Sequence, residues 1–182
     1  VITFTVIKYI YNPFQCTLDS DTNTSLELYL FKNVQNVEDI RNNLVQGIWK
    51  CAVIKPTLIL DPFQVAVAAN RAVLSEKSNS LVTKTVYSEI LYNLSISKNI
   101  SQSLSKFGIE KDDSILVCFL NEESRDDILK QIEGEQCDIC ELSQFTNEKD
   151  LKSTYKLNNI KGDCNLLDVI VSRIVTKNFV SF

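Results

Sequence analysis

The residues suited to chemistry in this chain are few and scattered. Cys137-Asp138-Ile139-Cys140 has the CxxC spacing of a redox or zinc motif. A redox pair needs a helix N-terminus to lower the first thiol's pKa, and this pair lies in a strand-like, acidic stretch that raises it. A zinc site needs two further ligands, and no second CxxC follows. The chain contains no histidine. That removes Ser-His-Asp and Cys-His nucleophile pairs, His-ligated zinc or haem, and the usual general base near neutral pH. No Gly-rich loop of the dinucleotide or P-loop type is present to cradle phosphates. The paired carboxylates Glu122/Glu123 and Asp126/Asp127 fall in a polar turn and read as surface charge. Glu89 is different: it sits among Tyr87, Ile90, Leu91 and Tyr92 on an apolar helix, where a carboxylate needs a partner, with Lys84 and Arg71 as candidates. It reads equally as a structural group or as part of a binding pocket. Asn70 and Asn93 lie on helical faces near apolar residues, placed to bond backbone or a base. From the residues alone, no cofactor, metal or catalytic apparatus is expected.

Charge is unevenly spread. The chain has 182 residues and a formal net charge of −4, so a general polyanion binder is disfavoured. Residues 71–111 carry six basic groups (Arg71, Lys77, Lys84, Lys98, Lys106, Lys111) against three acidic ones, and residues 112–150 carry three basic against twelve acidic. The basic stretch suits either one phosphate or short single strand, or a solvated helix surface. The apolar stretch Val1–Ile10 contains Lys8 and is too short for a signal peptide or a span, and no later stretch reaches membrane length. The reading is a soluble intracellular protein, with the six cysteines as buried or free thiols.

These groups must be positioned by strands and helices that the periodicity marks out. Ile2–Ile7 and Leu26–Phe31 read as strands, with a long polar loop between Asn12 and Ser25. A helix starts at Asn36 as N-cap and ends at Gly47, with Val37, Ile40 and Leu44 inward and Trp49 packed after it. Thr57–Leu60 reads as a short buried strand. Asp61 then caps a helix with Pro62 at its first position, Gln64 reaching back to the cap, and Leu60 stapled to Val65. Further helices are expected over Val86–Leu94, from the cap Asn99 to a left-handed Gly108, over Arg125–Ile132, from Thr146 to Tyr155, and over Asn165–Lys177. Ser114–Leu120 and Gln136–Leu142 read as strands. The last helix is apolar nearly all round, which makes it central or covered by a partner. The fold class expected is α+β, a single domain over residues 1–182 with a small mixed sheet packed against several helices.

One long stretch is recognisable. Leu30-Phe31-Lys32-Asn33-Val34 is followed by Ile59-Leu60-Asp61-Pro62-Phe63-Gln64 and Ala68-Ala69-Asn70-Arg71-Ala72-Val73. Then come Ser88-Glu89-Ile90-Leu91-Tyr92-Asn93-Leu94-Ser95, Asn99-Ile100-Ser101 and Lys106-Phe107-Gly108-Ile109. This pattern resembles the small PRPK-binding subunit family of the KEOPS (EKC) complex. It covers residues 26–120, weakens across the acidic 121–163 region, and returns at Leu166-Leu167-Asp168-Val169-Ile170 and Thr176-Lys177.

The resemblance implies a non-catalytic subunit, present in cytoplasm and nucleus, that binds the PRPK-type atypical kinase and meets the other KEOPS subunits indirectly. The assembled complex helps make threonylcarbamoyladenosine next to the tRNA anticodon, and some members grip the tRNA 3′ CCA end. Candidate tRNA contacts are Arg71, Asn93 and Asn99 within the matching motifs, with Lys84 and Lys98 chosen on charge. The apolar pattern of the last helix makes Leu166, Leu167, Ile170 and Ile174 the candidate kinase interface. A protein-only kinase regulator without tRNA contact is the alternative.

Overall fold

In the computed structural model, residues 12–158 and 165–180 are described; the strand expected at Ile2–Ile7 lies outside them. The elements run β1 (Phe14–Thr17), β2 (Ser25–Lys32), α1 (Val37–Val45), β3 (Ala52–Ile54), a 3-10 turn (Pro56–Leu58), α2 (Pro62–Lys77), α3 (Val86–Leu94), α4 (Ile100–Phe107), β4 (Ile115–Leu120), α5 (Arg125–Lys130), β5 (Glu135–Cys137), a second 3-10 turn (Ile139–Glu141), α6 (Leu142–Phe145), α7 (Glu148–Thr154) and α8 (Leu166–Thr176). The class is α+β, as expected, and every described strand pairing is antiparallel. Part of the expected Asn12–Ser25 loop is β1. Thr57–Leu60, expected as a strand, falls in the 3-10 turn and the residues just after it; the strand, β3, lies before them at Ala52–Ile54. Pro56 removes a backbone donor at the point where the chain would continue as strand. The strand expected over Gln136–Leu142 stops at Cys137, and the helix expected from Thr146 to Tyr155 is α7, capped one residue later, at Asn147.

β2 is the spine of the sheet. β4 pairs along residues 26–31 on one edge, while β1 and β5 share the other edge end to end, at 25–28 and 30–32. The two-residue period of the strands sorts the core into two layers. Leu26, Leu28, Leu30, Leu116, Cys118, Ala52 and Ile54 face α2, α3 and α8. Tyr29, Phe31, Ile115, Val117, Phe119 and Val53 face Ile40 of α1, Trp49 and Ile128 of α5.

The helical layer is stitched by buried polar groups. Asp61 caps α2 as expected, accepting from Phe63 N at 2.8 Å. Gln64 does not bond the cap backbone. Its Oε1 accepts from Leu60 N at 2.9 Å, and its Nε2 donates to Leu58 O at 3.1 Å and to Tyr155 Oη at 2.8 Å. Tyr155 Oη in turn donates to Leu94 O at 2.7 Å, tying the end of α7 to the end of α3. Gly108 is not left-handed; its φ is −74°. It is needed for space, because a Cβ there would lie 2.6 Å from Leu104 O. Asn36 makes no cap bond, and its amide instead clamps Gln131 O and Glu133 N at 2.8 and 3.0 Å.

Helix α8 docks on α2 and α3. Ile170 and Ile174 are fully buried in the core they share with the sheet. Arg71 Nη1 donates to Ile174 O, and Lys177 Nζ donates to Tyr92 O while lying 3.4 Å from the centre of the Tyr92 ring. Burial, reinforced by the Arg71 charge and opposed by Glu89, pushes the Lys177 amine down to about 7.

Two outcomes follow from this packing. The unfolded chain binds the Lys177 proton up to about pH 10.5 and the folded chain only to about 7. The stabilisation is therefore present above about pH 10.5 and lost as pH falls through about 7. Unfolding free energy should rise by about 2–3 kcal/mol between pH 7 and 9, and Lys177→Met should flatten the rise; an equal slope in both proteins contradicts the assignment. Tyr155→Phe leaves Leu94 O without its donor and Gln64 Nε2 without one acceptor, and denaturant titration should record a loss of about 1–3 kcal/mol.

Candidate functional site

The basic stretch 71–111 does not fold into one face. Arg71 is half-buried and faces α8, where burial lowers its pKa. Lys77 Nζ donates to Asp21 O at 2.7 Å. Lys84 is exposed in the loop before α3, and Lys98 is exposed beyond its other end, so the two are separated by a nine-residue helix, about 14 Å. Asn93 is 4% exposed and donates to Ala68 O at 3.2 Å, fastening α3 to α2. Asn70 Oδ1 accepts from Asp19 N at 2.8 Å. Glu89 is buried, and neither Lys84 nor Arg71 is its direct hydrogen-bond partner. Its Oε2 accepts from Val82 N at 3.1 Å and from Thr83 N and Oγ1 at 2.7 Å each, holding the 82–85 loop.

What the fold does gather is a cleft of about 500 Å³ between the α3–α4 turn and the end of α7. Lys98 and Lys106 line one side and Lys156 the other, with Ser95, Ser97 and Thr154 between them. The turn is held by its own side chains. Ser95 Oγ accepts from Ser97 N at 3.0 Å, Ser97 Oγ accepts from Asn99 N at 3.1 Å and donates to Gln102 Oε1 at 2.6 Å, and Asn99 Oδ1 caps α4 from Gln102 N at 2.9 Å. Thr154 Oγ1 is buried in the opposite wall and has no hydrogen-bond partner among the described residues. Three lysines and several hydroxyls give this cleft a positive, polar lining. Of the five candidate tRNA residues, only Lys98 lines this cleft, and Asn99 builds its wall. Lys106 was visible as charge, but Lys156 was not: it follows α7, outside the basic stretch, at a φ of +53°.

The last helix divides differently from its sequence pattern. Ile170 and Ile174 are spent on the chain's own core and present no surface, a correction to their place in the candidate interface. Leu166 and Leu167 remain half-exposed, joined by Val175 at 44% exposure and by Phe179 and Val180 just beyond the helix. Cys137 is buried at the end of β5, and Cys140 is exposed in the following turn. Burial raises the first thiol, and the Asp138 hydrogen bond raises the second, so neither is activated. Among the described residues, no helix is long and apolar enough to cross a membrane.

Residues 31–178 match the family described as "Kinase binding protein CGI-121". The chain is 37% identical over 155 residues to the EKC/KEOPS complex subunit TPRKB of Danio rerio, covering 82% of this chain and 89% of the relative. It is 30% identical over 140 residues to the EKC/KEOPS complex subunit CGI121 of Yarrowia lipolytica, covering 76% of this chain and 81% of the relative. A Schizosaccharomyces pombe subunit of the same description is 28% identical over 166 residues, covering 86% and 95%. The chain belongs to the CGI-121 family of kinase-binding proteins.

Proposed function

We propose that this chain is a non-catalytic regulatory subunit of an EKC/KEOPS complex, acting in cytoplasm and nucleus. It binds a PRPK-type kinase subunit, meets the other subunits indirectly, and supports threonylcarbamoyladenosine formation on tRNA. The observation that carries this reading is the kinase-binding family match across residues 31–178. The kinase-facing surface is the part-exposed margin of α8 at Leu166 and Leu167, with Val175 and Phe179 toward its other end. Ile170 and Ile174 support that surface from beneath.

The tRNA 3′ CCA end is held in the lysine cleft. Phosphates lie against Lys98, Lys106 and Lys156, and sugar hydroxyls meet the serines and Thr154. Three cations in one place give a contact that is local and salt-sensitive, in keeping with a chain of net charge −4. The dispersal of the other basic residues and that net charge favour one second reading: a regulator that acts on the kinase alone, with the cleft as solvated surface.

Two experiments separate these possibilities. In a pull-down with the cognate kinase, Leu167→Glu should keep its fold and weaken binding about 10-fold or more, whereas Ile170→Glu should unfold the protein. Undiminished binding by a folded Leu167→Glu protein would remove α8 from the interface. In a titration with tRNA, wild-type protein should bind the CCA-ending form more tightly than a form lacking those nucleotides. Lys98→Glu/Lys106→Glu should abolish that difference while leaving kinase binding intact. Kinase binding with no dependence on the CCA end supports the kinase-only regulator.

A further inference from the structure

A second groove, separate from the lysine cleft, runs along the outer edge of β3. It encloses about 600 Å³, walled by apolar side chains including Leu44, Trp49, Tyr87, Leu91, Leu104 and Ile109. Val45 stands at its mouth and is 88% exposed; Ile48, one residue before Trp49, is 61% exposed. Apolar surface therefore continues beyond the cavity onto the end of α1. A patch of this kind on an otherwise charged surface marks a place for another molecule.

Three features define what fits. First, β3 ends the described strand order, and its outer edge is used only at Ile54, by an antiparallel bridge to Gly108. Toward Cys51 the strand lines the groove and has no further strand partner on that side among the described residues. Cys51, Ala52 and Val53 are themselves only 2–3% exposed, so an occupant lies along the groove against its side chains, and an extended segment is the shape that follows it. Second, Arg41 and Lys50 line the groove, are exposed, and form no ion pair among the described residues. The single carboxylate at the groove, Glu110, accepts from Ser105 Oγ at 3.1 Å. The rim is net positive and asks for negative charge on the occupant. Third, the Trp49 side chain is 5% exposed and its buried indole N–H has no acceptor among the described residues. A carbonyl arriving on the neighbouring strand edge would supply one after a small shift of the covering side chains.

We propose that this groove docks an extended segment of a partner protein in which apolar and acidic residues alternate. The two-residue period of a strand turns the apolar side chains into the groove and the carboxylates toward Arg41 and Lys50. Nucleic acid is the poorer fit, since the aromatic ring at the floor is covered and the cations sit only at the rim. The surface is distinct from both the outward side of α8 and the lysine cleft, and it goes beyond the function proposed above.

Trp49 is the one tryptophan in the chain, so its emission reports occupancy without a label. The probe is an acetylated, amidated hexapeptide alternating Leu and Asp, titrated into the full chain; the control alternates Leu and Lys. The Leu–Asp peptide should give a saturable shift of Trp49 emission below about 1 mM. Val45→Asp and the double change Arg41→Glu/Lys50→Glu should each weaken it about 10-fold. All three positions are on the surface, so an unchanged thermal melt confirms that the fold is kept. No shift with the Leu–Asp peptide overturns the proposal, as does equal binding of the Leu–Lys peptide or undiminished binding by the charge-reversed variant. None of these outcomes bears on kinase or tRNA binding by the other two surfaces.

Discussion

One buried amide sets the geometry of the helical layer. Gln64 bonds three groups, two of them buried, and through Tyr155 it reaches Leu94 O across 61 residues of sequence from the phenol. An unmet buried donor or acceptor costs more than a met one returns, so this node tolerates few alternatives. Its position explains its consequence. Ser95 follows Leu94 and Thr154 precedes Tyr155, so the two walls of the lysine cleft each begin one residue from the same hydrogen bond. The cleft is in register because the core is.

The same logic governs α8. A helix apolar on nearly every side invites the assumption that its most regular stripe meets a partner. Here that stripe, Ile170 and Ile174, is inward, and the contacts that fix it are polar: Arg71 on a carbonyl of α8, and Lys177 on the Tyr92 carbonyl and ring. Buried cations on a helix end are costly unless their donors are taken up, which is why each ends on a backbone oxygen. What remains accessible is narrower than the sequence implies, with the half-buried Leu166 and Leu167 and the exposed Val175 as its apolar part.

Legibility in the sequence follows the range of the interaction. Local rules located α3 and α4, the Asp61-Pro62 start of α2, and the buried strand β4, because caps and apolar runs act within a few residues. Non-local demands were misread. Gln64 sits where a capping box puts a glutamine, yet a tyrosine 91 residues away claims its amide. Gly108 sits where a left-handed glycine belongs, yet the reason for it is the Leu104 carbonyl. Glu89 was seen to need a partner, but its partners are the backbone of Val82 and Thr83 and the Thr83 hydroxyl, none of them a charge that the sequence would single out. Lys156 joins Lys98 only through the fold. The family resemblance carried the identity of the chain, while the residues alone carried its class.

The most direct test of this account joins the buried node to the cleft it positions. Affinity for a CCA-ending tRNA should be measured in the Tyr155→Phe protein at a temperature where it remains folded, with every lysine in place. Loss of the bond to Leu94 should weaken binding several-fold while binding of the kinase is unaffected. Unchanged tRNA affinity in the folded variant would contradict the claim that this hydrogen bond sets the cleft.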